Sequence, residues 1–404
     1  MNILFLNLSK FESFEEHNIY TDLLRSLIAE GHNVYAVCSF ERRNKGKTRV
    51  IKKGNSSILL VKTLNIQKTN VIEKAVGTIL ITRQYISAIN KYFGDIKFDL
   101  ILYPTPPITL YGVVKYYKQR DLSFSYLLLK DIFPQNAVDL GMLQTKGVKS
   151  IIYKWFRKKE TMLYKISDKI GCMSAANVNY ILAHNKDIST EKVEIFPNCI
   201  ETKSMEITEK EKLAIREKYG IPNNKKVFVY GGNLGKPQSI PFVIDCLKAE
   251  IDNGEAFYLI VGDGTEYKKL ENYYNETRQS NFKLIKRLST DDFNRLLLSS
   301  DVGLIFLDDR FTIPNFPSRL LSYLQAKMPV LACTDKNTDI KEVLEEAGCG
   351  KWCESNSVDG FKQIVKELMS SDLKAMGQNG FEYLQEHYTV EKNKDRILRA
   401  INRK

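Results

Sequence analysis

At three places in the second half of the chain an apolar run gives way to a helical pattern through glycines or an N-cap, and such junctions suit phosphate binding. In FPSRLLSYLQAKMPVLA (Phe316–Ala332), Pro317 and Ser318 open an apolar-periodic helix whose first-turn N–H groups are free for an anion, and Pro329 ends it before the run VLA. In GGNLGKPQS (Gly231–Ser239), Gly232 and Gly235 let the backbone approach a phosphate without Cβ interference. Gly262 and Gly264 do the same in VGDGTE. Singly, each glycine pair is equally a tight turn; together they line one edge of one sheet, enough to hold a nucleotide diphosphate. Arg319 opposes the helix dipole at its position and is either a functional placement or a surface or salt-bridge arginine, while Lys236, Lys286 and Arg287 are loop cations on the same edge or ordinary surface charges. Arg319 with Lys236 or Arg287 is therefore expected to contact the diphosphate.

The first half offers fewer such groups. Lys130 and Asp131 follow the apolar run FSYLLL, and Asp131 either orients an acceptor hydroxyl, serves as a base or caps the next turn. His17, beside Glu15, Glu16 and Asn18 ahead of a helical pattern, is a candidate sugar contact or an incidental loop residue. TPPIT (Thr105–Thr109) lines a cleft or is a plain turn. The adjacent Asp308 and Asp309 form no spaced acidic pair, and no metal site is expected.

Two strand-and-helix series must position these residues. The first runs from ILFLNL through a helix at 19–30, VYAVCS, a variable Lys- and Asn-rich stretch, a long amphipathic helix at 71–93, DLILY, a helix at 108–118, FSYLLL, KIGCM, a helix begun by Ser174, and VEIFPN. The second has helices near 209–219, 240–250, 266–276 and 291–299 between the strands VFVYGG, FYLIVGDG, FKLI and VGLIFL, then the helix at Ser318 and VLAC. This alternation predicts an α/β protein of two Rossmann-like, doubly wound parallel-sheet domains facing across a cleft, residues 1–200 and 201–404, with ligands beyond the carboxyl ends of the strands. A basic last helix, about 390–403, is expected to cross back to the first domain.

Composition narrows the class. The chain has 404 residues, 43% of them hydrophobic and 27% charged, too long for one ordinary core and too apolar for disorder. NILFLNL lacks a basic lead and a cleavage site, so it reads as a strand rather than a signal peptide. No run of 18 apolar residues spans a membrane. Seven cysteines, only Cys349 and Cys353 close in sequence, support neither zinc nor a disulfide frame and indicate a reduced, cytoplasmic protein. Lys plus Arg against Asp plus Glu gives 29 − 17 = +12 for residues 1–200 and 31 − 31 = 0 for the rest. Within the basic half, Lys146–Lys165 interleaves cations with Ile151, Ile152, Trp155, Phe156, Met162 and Leu163. That suits a helix lying on an anionic bilayer, or a solvated helix with an ordinary buried face. No nucleic-acid motif accompanies it.

GNLG, SDVGLIFL and FPSRLLSYLQAKMPV, with KDIFPQNAVDLGML and YKISDKIGCMS, resemble the retaining family-4 GT-B glycosyltransferases over nearly the whole length. The last two strings resemble a bacterial, fucosaminyltransferase-like subgroup of capsule and O-antigen synthesis. The resemblance implies a nucleotide-sugar site in the second domain and an acceptor site in the first. It also implies a UDP-sugar donor, expected to carry an N-acetylated amino sugar, a lipid-linked saccharide acceptor at the inner face of the plasma membrane, and no metal or other cofactor. Phe316 matches the family's phenylalanine, whereas the two glutamates of its helix motif fall on Pro314 and Ser322. Ser322 retains one hydrogen bond for a ribose. The family's phosphate-binding arginine and lysine correspond to Asn233 and Gln238. These departures leave a catalytically inactive, nucleotide-binding scaffold as an alternative; a sugar-nucleotide epimerase would need more cleft carboxylates and histidines.

Overall fold

The structure is a computed structural model that describes residues 1–65 and 71–402. Its chain divides into two compact units, Met1–Glu201 together with the segment from Val390, and Thr202–Thr389.

In the first unit, eight strands form one sheet: β1 (Asn2–Asn7), β2 (Asn33–Glu41), β3 (Arg49–Lys53), β4 (Ser56–Thr63), β5 (Leu100–Thr105), β6 (Phe124–Leu129), β7 (Lys169–Cys172) and β8 (Val193–Ile195). Their order is β3-β4-β2-β1-β5-β6-β7-β8, and all pairs are parallel except β3 with β4. Every residue of β5 and β6 is buried, as expected of strands covered on both faces. The β3–β4 hairpin falls in the stretch read as variable; it turns at Gly54, whose φ of +59° suits a residue without a Cβ. Ser174 does begin the helix Ala175–His184, its hydroxyl accepting from the Asn177 amide.

The expected last helix is Val390–Asn402, residue 403 lying outside the described residues. Val390, Asn393, Ile397 and Ala400 form its buried face. Asn393 donates to the Pro197 carbonyl at 2.7 Å, and Lys394 pairs with Glu30 on the helix Thr21–Ala29.

The second unit has a six-stranded, wholly parallel sheet: β9 (Lys226–Asn233), β10 (Ala256–Asp263), β11 (Phe282–Ile285), β12 (Val302–Phe306), β13 (Val330–Thr334) and β14 (Gly350–Glu354). The order β11-β10-β9-β12-β13-β14 reverses direction between β9 and β12, so its switch point lies where those two strands diverge. Beyond VLAC the structure adds β14 and the helices Ile340–Glu346, Val358–Ser370 and Leu373–His387. All seven cysteines are buried free thiols, and the pair brought together is Cys333 with Cys353, register partners on β13 and β14 with sulfurs 3.5 Å apart.

Candidate active site

The carboxyl edge of the second sheet gathers most of the residues singled out for phosphate. Parallel register sets Gly232 of β9 beside Gly262 of β10, and Asn233 beside Asp263. Val261 pairs with Ile285, so Lys286 and Arg287 leave β11 at the same level. The glycines serve close backbone approach here: a Cβ on Gly262 would run into the Gly232 carbonyl, and one on Gly264 into the Leu234 backbone. Gly232 has φ +154°, and a side chain on Gly231 would strike the Phe293 ring.

The helix that carries Arg319 is fixed at the switch point by its own apolar face. Leu320, Leu321, Tyr323 and Leu324 are buried, and the Tyr323 ring fills the space left by Gly303 of β12. Its hydroxyl bonds the carbonyls of Val229 on β9 at 3.2 Å and Leu304 on β12 at 3.0 Å. Tyr323 thereby spans the two diverging strands and sets the Arg319 guanidinium over the Phe293 ring, 5.0 Å from its centroid, beside Gly232. Such a cation–aromatic contact contributes about 0.5–1 kcal/mol and fixes the guanidinium's place. Among the described residues no carboxylate pairs with Arg319, which leaves its donors available to an anion.

In other respects this helix differs from the expected one. It is seven residues long, Arg319–Gln325, and Ser318 has helical dihedrals, φ −63° and ψ −19°, with no capping bond from its hydroxyl. The turn begins one residue earlier, the Leu320 amide donating to the Pro317 carbonyl at 3.3 Å. Ser318 is exposed and Ser322 half-buried, whereas Phe316 is buried with its ring 6.4 Å from that of Tyr388. The helix ends at Gln325, and Lys327, whose φ is +52°, turns the chain before Pro329.

At Asn233 and Gln238, where the resemblance leads one to expect an arginine and a lysine, the structure has a small closed turn. Asn233 donates to the Gln238 side-chain oxygen at 2.9 Å, and that oxygen also accepts from the Gly235 amide at 3.2 Å. Lys236 opens the short 3-10 turn Lys236–Gln238, exposed, and Arg287 is exposed as well. Lys286 lies over the Tyr267 ring at 5.6 Å. Asp308 and Asp309 do not act as a pair: Asp308 is buried and holds Arg310 through both carboxylate oxygens.

In the first unit, Asp131 follows β6 at the carboxyl edge of its sheet. Asn136 donates to both its oxygens, at 2.8 and 2.7 Å, and burial pushes its carboxyl up to about 6 against those bonds. The helix Gln135–Asp139 has no side-chain cap, so Asp131 does not cap it. The Thr105 hydroxyl donates to the Asp131 carbonyl and accepts from the Lys130 amide, tying the end of β5 to the end of β6.

His17 lies in an ion-pair cluster. Its ring is 3.0 Å from Arg25 and 3.4 Å from Asp22, and Arg25 pairs with both Asp22 and Glu201. His17, Asp22 and Glu201 offer three potential metal-ligand atoms within 4.8 Å, yet the Arg25 guanidinium already supplies the cation between the two carboxylates. The sequence missed the supporting residues Phe293, Tyr323 and Asn136, because a phenyl ring or an amide far along the chain carries no local signal of its role.

Residues 211–383 match the family model described as glycosyl transferases group 1. Over 301 residues the chain is 24% identical to the probable glycosyltransferase WbjE of Pseudomonas aeruginosa, covering 72% of this chain and 71% of that protein. It is 23% identical over 204 residues to WcaI of Escherichia coli, a putative colanic acid biosynthesis glycosyl transferase, covering 50% of this chain and 49% of WcaI. The whole chain superposes on Anabaena HepE, solved in complex with UDP, with a TM-score of 0.68 at 13% identity and full coverage of both chains. The fold is thus that of the GT-B glycosyltransferases, two parallel-sheet α/β domains. A group 1 glycosyl transferase domain in the second unit and glycosyltransferase relatives along the chain identify a transferase enzyme.

Proposed function

We propose that the protein is a retaining glycosyltransferase that moves a sugar, an N-acetylated amino sugar in the preferred reading, from a UDP-sugar to a lipid-linked saccharide in bacterial surface polysaccharide synthesis. The observation that carries it is Arg319 held beside Gly232 at the switch point of a group 1 glycosyl transferase domain. In this reading the guanidinium meets the charge that develops on the departing diphosphate, with Lys236 or Arg287 as a second cation. Backbone groups of the glycine turns and the Ser318 turn approach the same phosphates, while Ser322 offers one hydroxyl to the ribose.

The chemistry runs on one face of the sugar. The anomeric carbon loses its bond to the β-phosphate oxygen and gains one to the acceptor oxygen. The acceptor's proton passes to that departing phosphate oxygen, so neither a protein nucleophile nor a metal is required, and Asp131 orients the acceptor hydroxyl. HepE's complex with UDP and WcaI's description as a colanic acid biosynthesis glycosyl transferase support the donor and the setting.

A place at the membrane is supported by the segment around the helix Ser150–Ile166. That helix buries Ser150, Glu160, Leu163 and Tyr164. It exposes Ile151 (66%), Ile152 (54%) and Trp155 (39%), and the preceding turn exposes Val148 (84%). Lys146, Lys149, Lys154 and Lys158 are exposed in the same segment. Apolar side chains ringed by ammonium groups suit the interface of an anionic bilayer, where each lysine contributes about 1 kcal/mol. Among the described residues no helix is long and apolar enough to cross a membrane, so the proposed association is peripheral.

The test is incubation with a panel of UDP-sugars and a polyprenyl-diphosphate-linked sugar, reading UDP release and product mass. Transfer with retained anomeric configuration supports the proposal; no release with any donor contradicts it.

A further inference from the structure

Three adjacent strands of the first sheet end at one level. Leu129 of β6 pairs with Cys172 of β7, and Cys172 with Ile195 of β8, so the next residues, Lys130, Met173 and Phe196, stand side by side at the carboxyl edge. The Phe196 amide donates to the Cys172 carbonyl at 2.6 Å, which carries this alignment one residue beyond β8.

Lys130 lies over the Phe196 ring, 5.3 Å from its centroid. Among the described residues its ammonium has no carboxylate and no hydrogen-bond acceptor. Burial lowers its proton affinity, to a pKa of about 8, while the side chain keeps some solvent access. A desolvated cation without a counter-ion is costly to fold around and seldom kept without a use. Two residues past Phe196, Asn198 is 4% exposed; its amide nitrogen reaches only the Met173 sulfur, at 3.6 Å, and its amide oxygen has no partner. Met173, beside Lys130 at the strand ends and in contact with Asn198, links the two groups, and a ligand that satisfied both would carry an anionic oxygen for Lys130 and a hydroxyl for Asn198.

We propose that Lys130 and Asn198 form an anion subsite at the carboxyl edge of the first sheet, which takes a phosphate or carboxylate of a hydroxylated acceptor. The subsite rests on the reading that the first unit receives the acceptor, but its anion binding can be measured without transfer. Two probes of similar skeleton separate the two sources of charge: glycerol 1-phosphate and glycerate.

The experiment is acylation of the full chain at pH 7, with lysine-containing peptides quantified by mass spectrometry and UDP binding measured in parallel by calorimetry. An anion paired with the Lys130 ammonium raises its pKa by about one unit or more and slows its acylation roughly tenfold. Exposed Lys154 serves as the internal control and is expected to keep its rate. Protection by glycerol 1-phosphate alone assigns a phosphorylated acceptor, protection by glycerate alone a carboxylated one, and either supports the subsite. Asn198→Leu should weaken that protection, and Lys130→Met should abolish probe binding while UDP binding persists. If neither probe protects Lys130 at concentrations on the order of 10 mM, the subsite is wrong. UDP binding in the same samples reports on the donor reading separately, so the two failures are distinguishable.

Discussion

Replacing Lys130 with methionine should make the protein more stable. Burial lowers the ammonium's pKa from an ordinary 10.5 to about 8, against smaller opposing contributions from Cys199 and Cys172 and with no carboxylate to offset it. At about 1.36 kcal/mol per pKa unit, 10.5 − 8 = 2.5 corresponds to about 3 kcal/mol by which the charged form disfavours the native state. Methionine keeps most of the apolar stem and removes that charge, but gives up a cation–aromatic contact of about 0.5–1 kcal/mol. The net expectation at pH 7 is a gain of about 2 kcal/mol. Its sign with pH follows from linkage. Between about 8 and 10.5 the unfolded chain binds a proton at Lys130 that the folded chain does not, so the parent gains stability as pH rises through that window. The variant's advantage is therefore full below pH 8 and gone above 10.5. Urea unfolding of parent and variant at pH 7, 9 and 10.5 measures it, with the other titrating groups cancelling in the difference. A variant less stable than the parent at pH 7, or a difference that does not change with pH, would refute the desolvated-cation reasoning.

Other substitutions probe the remaining site. Arg319→Ala removes a charged hydrogen-bond donor worth about 1.5–3 kcal/mol, so UDP affinity by calorimetry should fall roughly 10- to 150-fold. Ser322→Ala removes a neutral one and should cost no more than about tenfold. Asp131 titrates near 6, so if its carboxylate orients the acceptor, turnover should decline as pH falls through about 6, and Asp131→Asn should abolish that limb. Exchanging Ile151, Ile152 and Trp155 together for serine should release the protein from phosphatidylglycerol vesicles in flotation assays, with UDP affinity unchanged.

Much of the architecture was legible because parallel strands covered on both faces announce themselves as unbroken apolar runs: FSYLLL is β6 and VGLIFL contains β12. The β3–β4 hairpin was not, since RVIKK reads as a charged run and owes its strand state to pairing with β4. In the site, the glycines of GGN and GDG were visible because residues without a Cβ serve the close approach of β9 and β10. The Ser318 cap was misjudged: Pro317 and Ser318 carry a cap's composition, yet the turn starts at the Pro317 carbonyl and the serine is drawn into helical dihedrals. Lys130 was noticed for its place at a strand end, but its want of a counter-ion depends on Phe196 and Asn198, more than 60 residues away along the chain. Long-range packing of that kind leaves no local trace in sequence.

The most direct test of the donor-site assignment is a structure of the full chain with UDP bound. The account predicts the diphosphate at the carboxyl edge of β9 and β10, within hydrogen-bond distance of the Arg319 guanidinium and beside Gly232. A diphosphate bound in the first unit, or one in the second unit that leaves Arg319 uninvolved, would contradict it.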